Sequence, residues 1–223
     1  MLREPRRIAR AAILSLCIGM GACGFWKLAL AQEVVGLITG VGGSAQLIRG
    51  PQSLTIGVGM GVDLGDKIVT APNAHVTLTL RDGSTLNLAE SGTLRIDHVV
   101  GSAAAGPSVI GLLGGHLGSV IAAALGGTNG SYEVHTPNAI AGVRGTKFET
   151  AFVDGIPCPG FPTCLRYTEV GVSEGLVEVS NPTNPNAAPV IVKAGYETTV
   201  PCQEPPSSPG PLGIGEMGGP GYH

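Results

Sequence analysis

A hairpin pattern in the N-terminal half constrains the fold of this 223-residue chain more than any other feature. Residues Ala74–Leu80 alternate apolar and polar side chains, Asp82-Gly83-Ser84 follows, and Thr85–Leu88 alternates again. Strict alternation on both sides of an Asp-Gly pair is typical of a β-hairpin with one buried face. The side chains expected on that core face are Leu78, Leu80, Leu86 and Leu88.

The same kind of run recurs along most of the chain. Short alternating or β-branched segments are separated by turn residues at roughly ten-residue spacing, which is typical of an all-β domain. The composition agrees, because 36 Gly supply tight turns and aromatics at 4% leave the core to aliphatic residues. We predict a single all-β domain of many short strands, arranged as a β-sandwich or as a β-helix-like roll. The predicted strands are Val35–Thr39, Ser44–Arg49, Thr55–Val58, Lys67–Thr70, Ala74–Leu80, Thr85–Leu88, Thr93–Val99, Tyr132–His135, Lys147–Val153, Arg166–Val172, Leu176–Ser180, Val190–Val192 and Glu197–Val200.

Two segments depart from the strand pattern. Ser102–Thr128 is rich in Gly and Ala and fits neither a helical nor a strand period. We expect a strand near Gly114–Val120 within it, with a short helix over Val120–Leu125 as the alternative. From Pro201 the composition changes to Pro, Gly and Ser, which cannot bury enough apolar surface to offset the entropy of ordering. We predict a disordered tail over residues 201–223, which leaves residues 32–200 for the domain.

The N-terminal segment has the three parts of a signal peptide. A stretch with four arginines comes first, the apolar run Ala11–Trp26 follows, and Ala29-Leu30-Ala31 has the small-residue pattern of a cleavage site. We predict a signal peptide over residues 1–31 and no transmembrane anchor after its removal. Two alternatives stay open, a twin-arginine signal at Arg6-Arg7 and a lipoprotein box at Gly21-Ala22-Cys23.

Charge narrows the class of partner. Without residues 1–31, 8 basic and 15 acidic side chains remain of the 13 and 16 in the full chain, a net charge of −7. A surface of that sign repels phosphate groups, so nucleic acid and anionic lipid are disfavoured as partners. Together with the signal peptide, this predicts a periplasmic or secreted protein whose partner is a protein or a glycan.

Three cysteines follow the predicted cleavage site, and exported proteins meet an oxidising compartment. Cys158 and Cys164 flank a short loop with two prolines and a glycine, so a Cys158–Cys164 disulfide is the simplest pairing. A bond from Cys202 to either of them is one alternative, and three unpaired thiols are another. The spacing of these cysteines, with no histidine near them in sequence, does not fit a zinc site.

No group of residues in the sequence has the pattern of a catalytic site. His98 follows Asp97 directly, but adjacent strand residues point to opposite faces, so the two cannot form an acid–base pair. Asp63, Asp66 and Asp82 are typical of turns, and a calcium loop needs a higher density of ligands. We therefore predict a protein that is not an enzyme and uses no metal or cofactor. A hydrolase on a β-helix-like scaffold is the least favoured alternative.

The segment Thr136–Phe148 stands out from the rest of the chain. Two glycines bracket a Val-Arg pair, and glycine marks places where a backbone takes a positive φ or passes close to another strand. We predict a tight turn or bulge in which Arg144 is a buried tether to a carboxylate or to carbonyl groups, because an unpaired buried charge is costly. Exposure of Arg144 and Lys147 as a partner contact is the alternative. The signature residues are Gly142, Val143, Arg144, Gly145, Thr146 and Phe148.

Several motifs, taken together in order and spacing from about residue 34 to residue 200, resemble the FecR domain family. They are Val35–Thr39, Leu64–Thr70, Leu80–Leu86, Leu112–Leu117, Thr136–Phe148, Val172–Val179 and Val192–Tyr196. The resemblance implies the periplasmic domain of iron-dicitrate-type signalling regulators in a Gram-negative-type envelope, with the family signature lying within Thr136–Phe148.

The match to complete regulators of that family is partial. Complete regulators of the family that this chain resembles also have a cytoplasmic segment that engages a sigma factor and one membrane helix. Here the residues before the domain resemble a signal peptide, and Cys158–Cys164 is an insertion just after the signature strand. We expect a stand-alone secreted member, a non-catalytic domain that acts through protein–protein or ligand contact in the cell envelope and has a link to signalling. A cell-surface structural, adhesive or glycan-binding module is the alternative.

Overall fold

The computed structural model describes residues 33–100, 106–122, 132–143 and 145–213, and within these ranges all regular structure is β-strand. Seventeen strands occur in the described ranges. In chain order they are β1 (Val34–Gly42), β2 (Ala45–Arg49), β3 (Gln52–Thr55), β4 (Gly61–Asp63), β5 (Lys67–Thr70), β6 (His75–Leu80), β7 (Thr85–Leu88), β8 (Thr93–His98), β9 (Ser108–Val120), β10 (Tyr132–His135), β11 (Ile140–Val143), β12 (Lys147–Asp154), β13 (Arg166–Glu174), β14 (Leu176–Ser180), β15 (Val190–Lys193), β16 (Tyr196–Pro201) and β17 (Gly210–Pro211).

Hydrogen bonding arranges these strands as one mixed sheet with two branches that share the long strand β9. The front branch has the order β4–β1–β6–β7–β9–β12–β13–β16–β17. The back branch has the order β3–β2–β5–β8–β9–β10–β11–β14–β15. The β9–β10 pair is parallel, whereas the other pairs between described strands are antiparallel.

The C-terminal half is built by adding hairpins to the two branches in turn. The β10–β11 hairpin extends the back branch, β12–β13 the front, β14–β15 the back and β16–β17 the front. Each new hairpin pairs with the previous one in its own branch, through β11–β14 and β13–β16. The all-β prediction is therefore confirmed, and the arrangement combines two facing branches with the stepwise growth of a roll.

Strand β9 changes branch near Gly115. Its N-terminal part pairs with β8 and β10, and its C-terminal part pairs with β7 and β12. Gly115 has a φ of +81°, and a Cβ atom there would lie 2.6 Å from the Cα atom of Gly92. Only glycine has both the backbone freedom and the absence of a side chain that this crossing requires.

Aliphatic side chains from both branches form one core cluster. The four leucines predicted to share the core face are all buried, as expected from the hairpin pattern. Burying one such side chain contributes about 1.5–3 kcal/mol relative to leaving it in water. The largest fully buried side chains are Tyr132, Phe148, Ile38, Leu47, Ile68, Leu78, Leu86, Leu88, Leu94, Ile96, Ile110 and Leu112.

Strand positions follow the predicted pattern closely in most places. The bounds of β5, β7, β10 and β14 are those predicted. The prediction was wrong at Thr55–Val58, where the strand instead ends at Thr55 and Val58 is exposed. Strands β4, β11 and β17 were not predicted, and β9 begins earlier than expected. Residues 123–125 of the alternative short helix lie outside the described residues.

The predicted disordered tail is wrong for residues 201–213. The hydroxyl of Thr198 donates to the Ser207 carbonyl at 2.7 Å, and the Ser207 amide donates to the Thr199 carbonyl at 2.8 Å. Gly210–Pro211 then pairs with β16. This segment is ordered by specific hydrogen bonds and by a disulfide rather than by the burial of a large apolar face. Residues 214–223 of the predicted tail lie outside the described residues, as does the predicted signal peptide.

Candidate functional site

The turn after β10 joins the two branches through a buried polar network. The Thr136 and Thr168 hydroxyls lie 2.7 Å apart, and the Thr168 hydroxyl donates to Asn138 Oδ1 at 2.7 Å. Asn138 Nδ2 donates to the Val200 carbonyl at 2.6 Å. Thr136, Asn138 and Thr168 are all buried, so each hydrogen bond is made in a region of low dielectric. The Thr136-Pro137-Asn138 segment thus connects β10–β11 in the back branch to β13 and β16 in the front branch. We call this network of hydrogen bonds among Thr136, Asn138, Thr168 and Val200 the clasp.

The remaining signature residues carry the chain from the back branch to the front. Gly142 and Val143 end β11, Gly145 has a φ of +61°, and Phe148 is fully buried on β12. The buried Thr146 hydroxyl donates to the Leu176 carbonyl at 3.1 Å. Arg144 lies outside the described residues, so its role as a tether stays a prediction.

The aspartates considered as calcium ligands take part in protein contacts. Asp66 accepts from Arg49 Nε at 2.9 Å and from the Asp63 amide at 2.8 Å, and Arg49 Nη1 lies 2.9 Å from Asp63 Oδ2. Asp82 accepts from the Ser84 amide at 2.9 Å and from the Ser108 hydroxyl at 3.0 Å. Among the described residues, no group of three or more His, Cys, Asp or Glu side chains could hold a metal ion. These carboxylates act as turn and branch connectors.

Two of the described histidines each lie close to one glutamate. His135 Nε2 lies 2.6 Å from Glu133, and His116 Nε2 lies 3.4 Å from Glu149. The hydrogen bond from His116, with a smaller contribution from Lys147, lowers the pKa of Glu149 against the opposing effect of burial. Asp97 pairs with Arg95, while the His98 ring contacts the Pro107 carbonyl. The expected separation of Asp97 and His98 is therefore observed.

The segment between β12 and β13 displays large apolar side chains, and we call residues Gly155–Leu165 the apolar loop. Ile156, Phe161 and Leu165 are 58%, 43% and 50% exposed. Charged side chains occur only at its two ends, on Asp154 and Arg166, which lie 3.5 Å apart. An uncharged apolar loop of this kind is typical of a contact surface rather than of a solvated turn.

Backbone hydrogen bonds fix the shape of the apolar loop. The Gly155 amide donates to the Leu165 carbonyl at 2.7 Å, and the Cys158 amide donates to the Cys164 carbonyl at 2.7 Å. Inside this pair, the Phe161 amide donates to the Cys158 carbonyl and the Cys164 amide to the Phe161 carbonyl, each at 2.9 Å. Three prolines further restrict the backbone. The exposed side chains therefore project from an ordered platform.

A disulfide between Cys164 and Cys202 ties the apolar loop to β16. The predicted Cys158–Cys164 pairing is wrong, and one of the stated alternatives is observed. The cause is strand register, because Tyr167 pairs with Pro201 and the Cys202 amide donates to the Arg166 carbonyl at 2.9 Å. This brings the Cα atoms of Cys164 and Cys202 to 5.7 Å, which suits a disulfide. Cys158 is left as a buried free thiol, and burial, followed by the charge of Glu169, raises its pKa.

A comparison with known protein families finds a match in the middle of the chain. Residues 66–158 match the family model described as FecR protein. This segment is similar to that family. The match includes the Asp82-Gly83-Ser84 hairpin, the Thr-Pro-Asn clasp and the Gly142–Phe148 signature. FecR proteins are regulatory rather than catalytic, and FecR domains are generally associated with the periplasm or envelope. No helix in the described ranges is long and apolar enough to span a bilayer.

Solved structures similar to this chain include two of one candidate anti-sigma factor from Parabacteroides distasonis ATCC 8503, at 2.50 Å and 1.65 Å resolution. Each is 18% identical, with a TM-score of 0.46 over 60% of this chain. This chain spans 54% of the length of that protein. No curated protein matches the sequence.

Local sequence patterns did not identify several residues that complete these contacts. Thr168 and the Val200 carbonyl belong to the clasp, yet they come 30 and 62 residues after Asn138. The apolar side chains of Ile156, Phe161 and Leu165 also resemble core residues in sequence. The signal that could have marked them is the insertion itself, since prolines, a glycine and two cysteines surround them.

Proposed function

We propose that this FecR-domain protein is exported, has no catalytic activity and acts by binding another protein of the cell envelope through the apolar loop. The observation that carries the proposal is the exposure of Ile156, Phe161 and Leu165 on an ordered loop. Several large apolar side chains exposed on one short loop are a feature of interaction sites. A partner that covers them gains the free energy of removing them from water.

Preorganisation makes the apolar loop suited to binding. Ordering a flexible segment on association costs free energy, whereas this loop is already held by backbone hydrogen bonds and by the Cys164–Cys202 disulfide. A protein partner is favoured over an anionic membrane because the predicted mature chain carries a net charge of −7. The regulatory character of FecR proteins supports a role in signalling across or within the envelope.

The non-catalytic part of the proposal rests on how the polar groups are used. The buried hydroxyls and amide of the Thr136 clasp bond to one another and to the backbone. Asp63 and Asp66 pair with Arg49. Polar groups with such partners serve the fold, and the family that the domain resembles is regulatory.

The test is a pull-down from envelope extract with a loop variant and a matched control. The loop variant carries Ile156→Ser, Phe161→Ser and Leu165→Ser, and the control carries Val58→Ser, which removes a 69% exposed apolar side chain elsewhere. We expect the unmodified protein and the control to retain the same specific protein, and the loop variant to lose it. Equal retention by all three would contradict a contact through the apolar loop. Binding to a polysaccharide array by all three would favour the glycan-binding alternative.

A further inference from the structure

The base of the apolar loop holds three cysteines in one cluster. Cys158, Cys164 and Tyr167 are buried together, and Cys202 and Val153 pack against them. Cys164 and Cys202 are joined, while Cys158 is a free thiol in contact with the same cluster. A thiol packed beside a disulfide is the arrangement from which thiol–disulfide exchange starts.

The alternative bond between Cys158 and Cys164 is geometrically accessible. The Cys158 amide donates to the Cys164 carbonyl at 2.7 Å, so the two residues face each other across the neck of the apolar loop. The Cys164 amide in turn donates to the Phe161 carbonyl, so Cys158 and Cys164 belong to one compact turn. Both cysteines are also buried in the same cluster, against which Cys202 packs. Cys164 therefore lies beside both of its possible partners.

We propose that Cys158 exchanges with the Cys164–Cys202 disulfide, so that the protein has two disulfide states. The Cys158 thiolate attacks Sγ of Cys164, the Cys158–Cys164 bond forms, and the Cys164–Cys202 bond breaks. Cys202 leaves as a thiolate and takes up a proton equivalent to the one that Cys158 released. The number of disulfides is unchanged, so the step needs no oxidant or reductant.

The Cys164–Cys202 state is the resting one, because it is the linkage in the folded structure, where the pairing of β13 with β16 brings the two residues together. Burial of Cys158 also keeps its sulfur as the poorly nucleophilic thiol, which makes the exchange slow.

Exchange changes which two segments of the chain the disulfide connects. In the resting state it ties the apolar loop to the end of β16, next to the segment 203–213 that carries β17. In the second state the bond closes the apolar loop on itself, and Cys202 becomes a thiol that a partner can engage. The segment 203–213 then keeps its hydrogen bonds but loses its nearby covalent anchor. This inference depends on the cysteine cluster alone and stands whether or not the apolar loop binds a partner.

The test maps disulfides by proteolysis and mass spectrometry, after incubation without oxygen with a trace of reduced glutathione and a quench in acid. Three proteins are compared: the unmodified chain, Cys158→Ser and Cys202→Ser. We expect the unmodified chain to yield both Cys164–Cys202 and Cys158–Cys164 peptides, and Cys158→Ser to yield only the first. We also expect Cys202→Ser to form Cys158–Cys164 under mild oxidation while it retains the β-sheet circular dichroism of the unmodified chain.

Hydrogen exchange provides a second readout that a merely structural thiol would not change. In the Cys158–Cys164 state we expect amides in 203–213 to lose protection, while those of β12 and β13 keep it. Recovery of Cys164–Cys202 alone from the unmodified chain, with two free thiols in folded Cys202→Ser, would overturn the proposal. If Cys202→Ser does not fold, recovery of a single linkage from the unmodified chain is sufficient to reject it.

Discussion

Asn138 donates a hydrogen bond of 2.6 Å from its side-chain amide to the carbonyl of Val200, 62 residues further along the chain. The bond crosses from the back branch of the sheet to the front, and both ends are buried. It explains why a turn after β10 needs an amide side chain where a purely local turn would accept many residues.

Removal of the Asn138 side chain should destabilise the domain strongly. Asn138→Ala removes the side-chain donor to the Val200 carbonyl and one of the two partners of the Thr168 hydroxyl, and unpaired buried polar groups cost about 1–3 kcal/mol. We expect a loss of that size in urea unfolding. Asn184→Ala is the control, because its side chain makes a similar bond to the Gln203 carbonyl in an exposed position. Equal small losses in both variants would contradict the clasp.

Substitution of Gly115 should show what the change of branch in β9 requires. Gly115 and Gly195 both have a φ of +81°, but only Gly115 faces another backbone atom within 4 Å. Gly195→Ala should cost about 1–2 kcal/mol for the left-handed backbone alone. Gly115→Ala should cost clearly more, since its Cβ would meet the Cα atom of Gly92 at 2.6 Å. Thermal unfolding of the two variants measures the difference, and similar midpoints would contradict the account of the crossing.

The Arg49 network should contribute more to stability than a surface ion pair. Asp66 is almost fully buried and receives two charged donors from Arg49, so Asp66→Asn should cost about 1.5–3 kcal/mol in chemical denaturation. Asp97→Asn is the control, because the Arg95–Asp97 pair lies at the surface and should contribute at most about 1 kcal/mol. A loss for Asp66→Asn no larger than that of the control would show that the network is dispensable.

Stability at acid pH should depend on Glu149. The hydrogen bond from His116 lowers the pKa of Glu149 from its usual value, so the ionised carboxylate stabilises the fold at pH values above that usual pKa. This contribution is lost as the pH falls through the lowered pKa, because the carboxylate then takes up a proton. We expect unmodified protein to lose more stability than Glu149→Gln between about pH 5 and about pH 3. The exposed Glu178→Gln is the control and should follow the unmodified protein.

Much of the fold could be predicted because strand periodicity is a local property. The Asp82-Gly83 hairpin and strands such as β5 and β14 can be recognised in the sequence from alternating apolar residues and flanking turn residues. Strand β11 was missed because Ile140–Val143 overlaps the glycines that also mark a turn. The change of branch at Gly115 was missed because it depends on contact with Gly92, which lies in a different part of the chain.

The candidate site was predicted less well because it depends on register between distant strands. Cys158 and Cys164 are close in sequence, and that proximity favoured the wrong disulfide. The pairing of Tyr167 with Pro201 determines that Cys164 bonds to Cys202, and no local sequence pattern encodes that pairing. The ordered segment after Pro201 was missed for the same reason, since Ser207 is held by β16 rather than by its own apolar content.

Site-specific photo-crosslinking in living cells tests directly whether the apolar loop contacts another envelope protein. A photoreactive phenylalanine analogue replaces Phe161 in the apolar loop and, in a parallel strain, replaces Val58, which is exposed elsewhere. We expect a discrete adduct with one envelope protein from position 161 and none of that mass from position 58. No adduct from position 161, or the same adducts from both positions, would contradict a protein contact through the apolar loop.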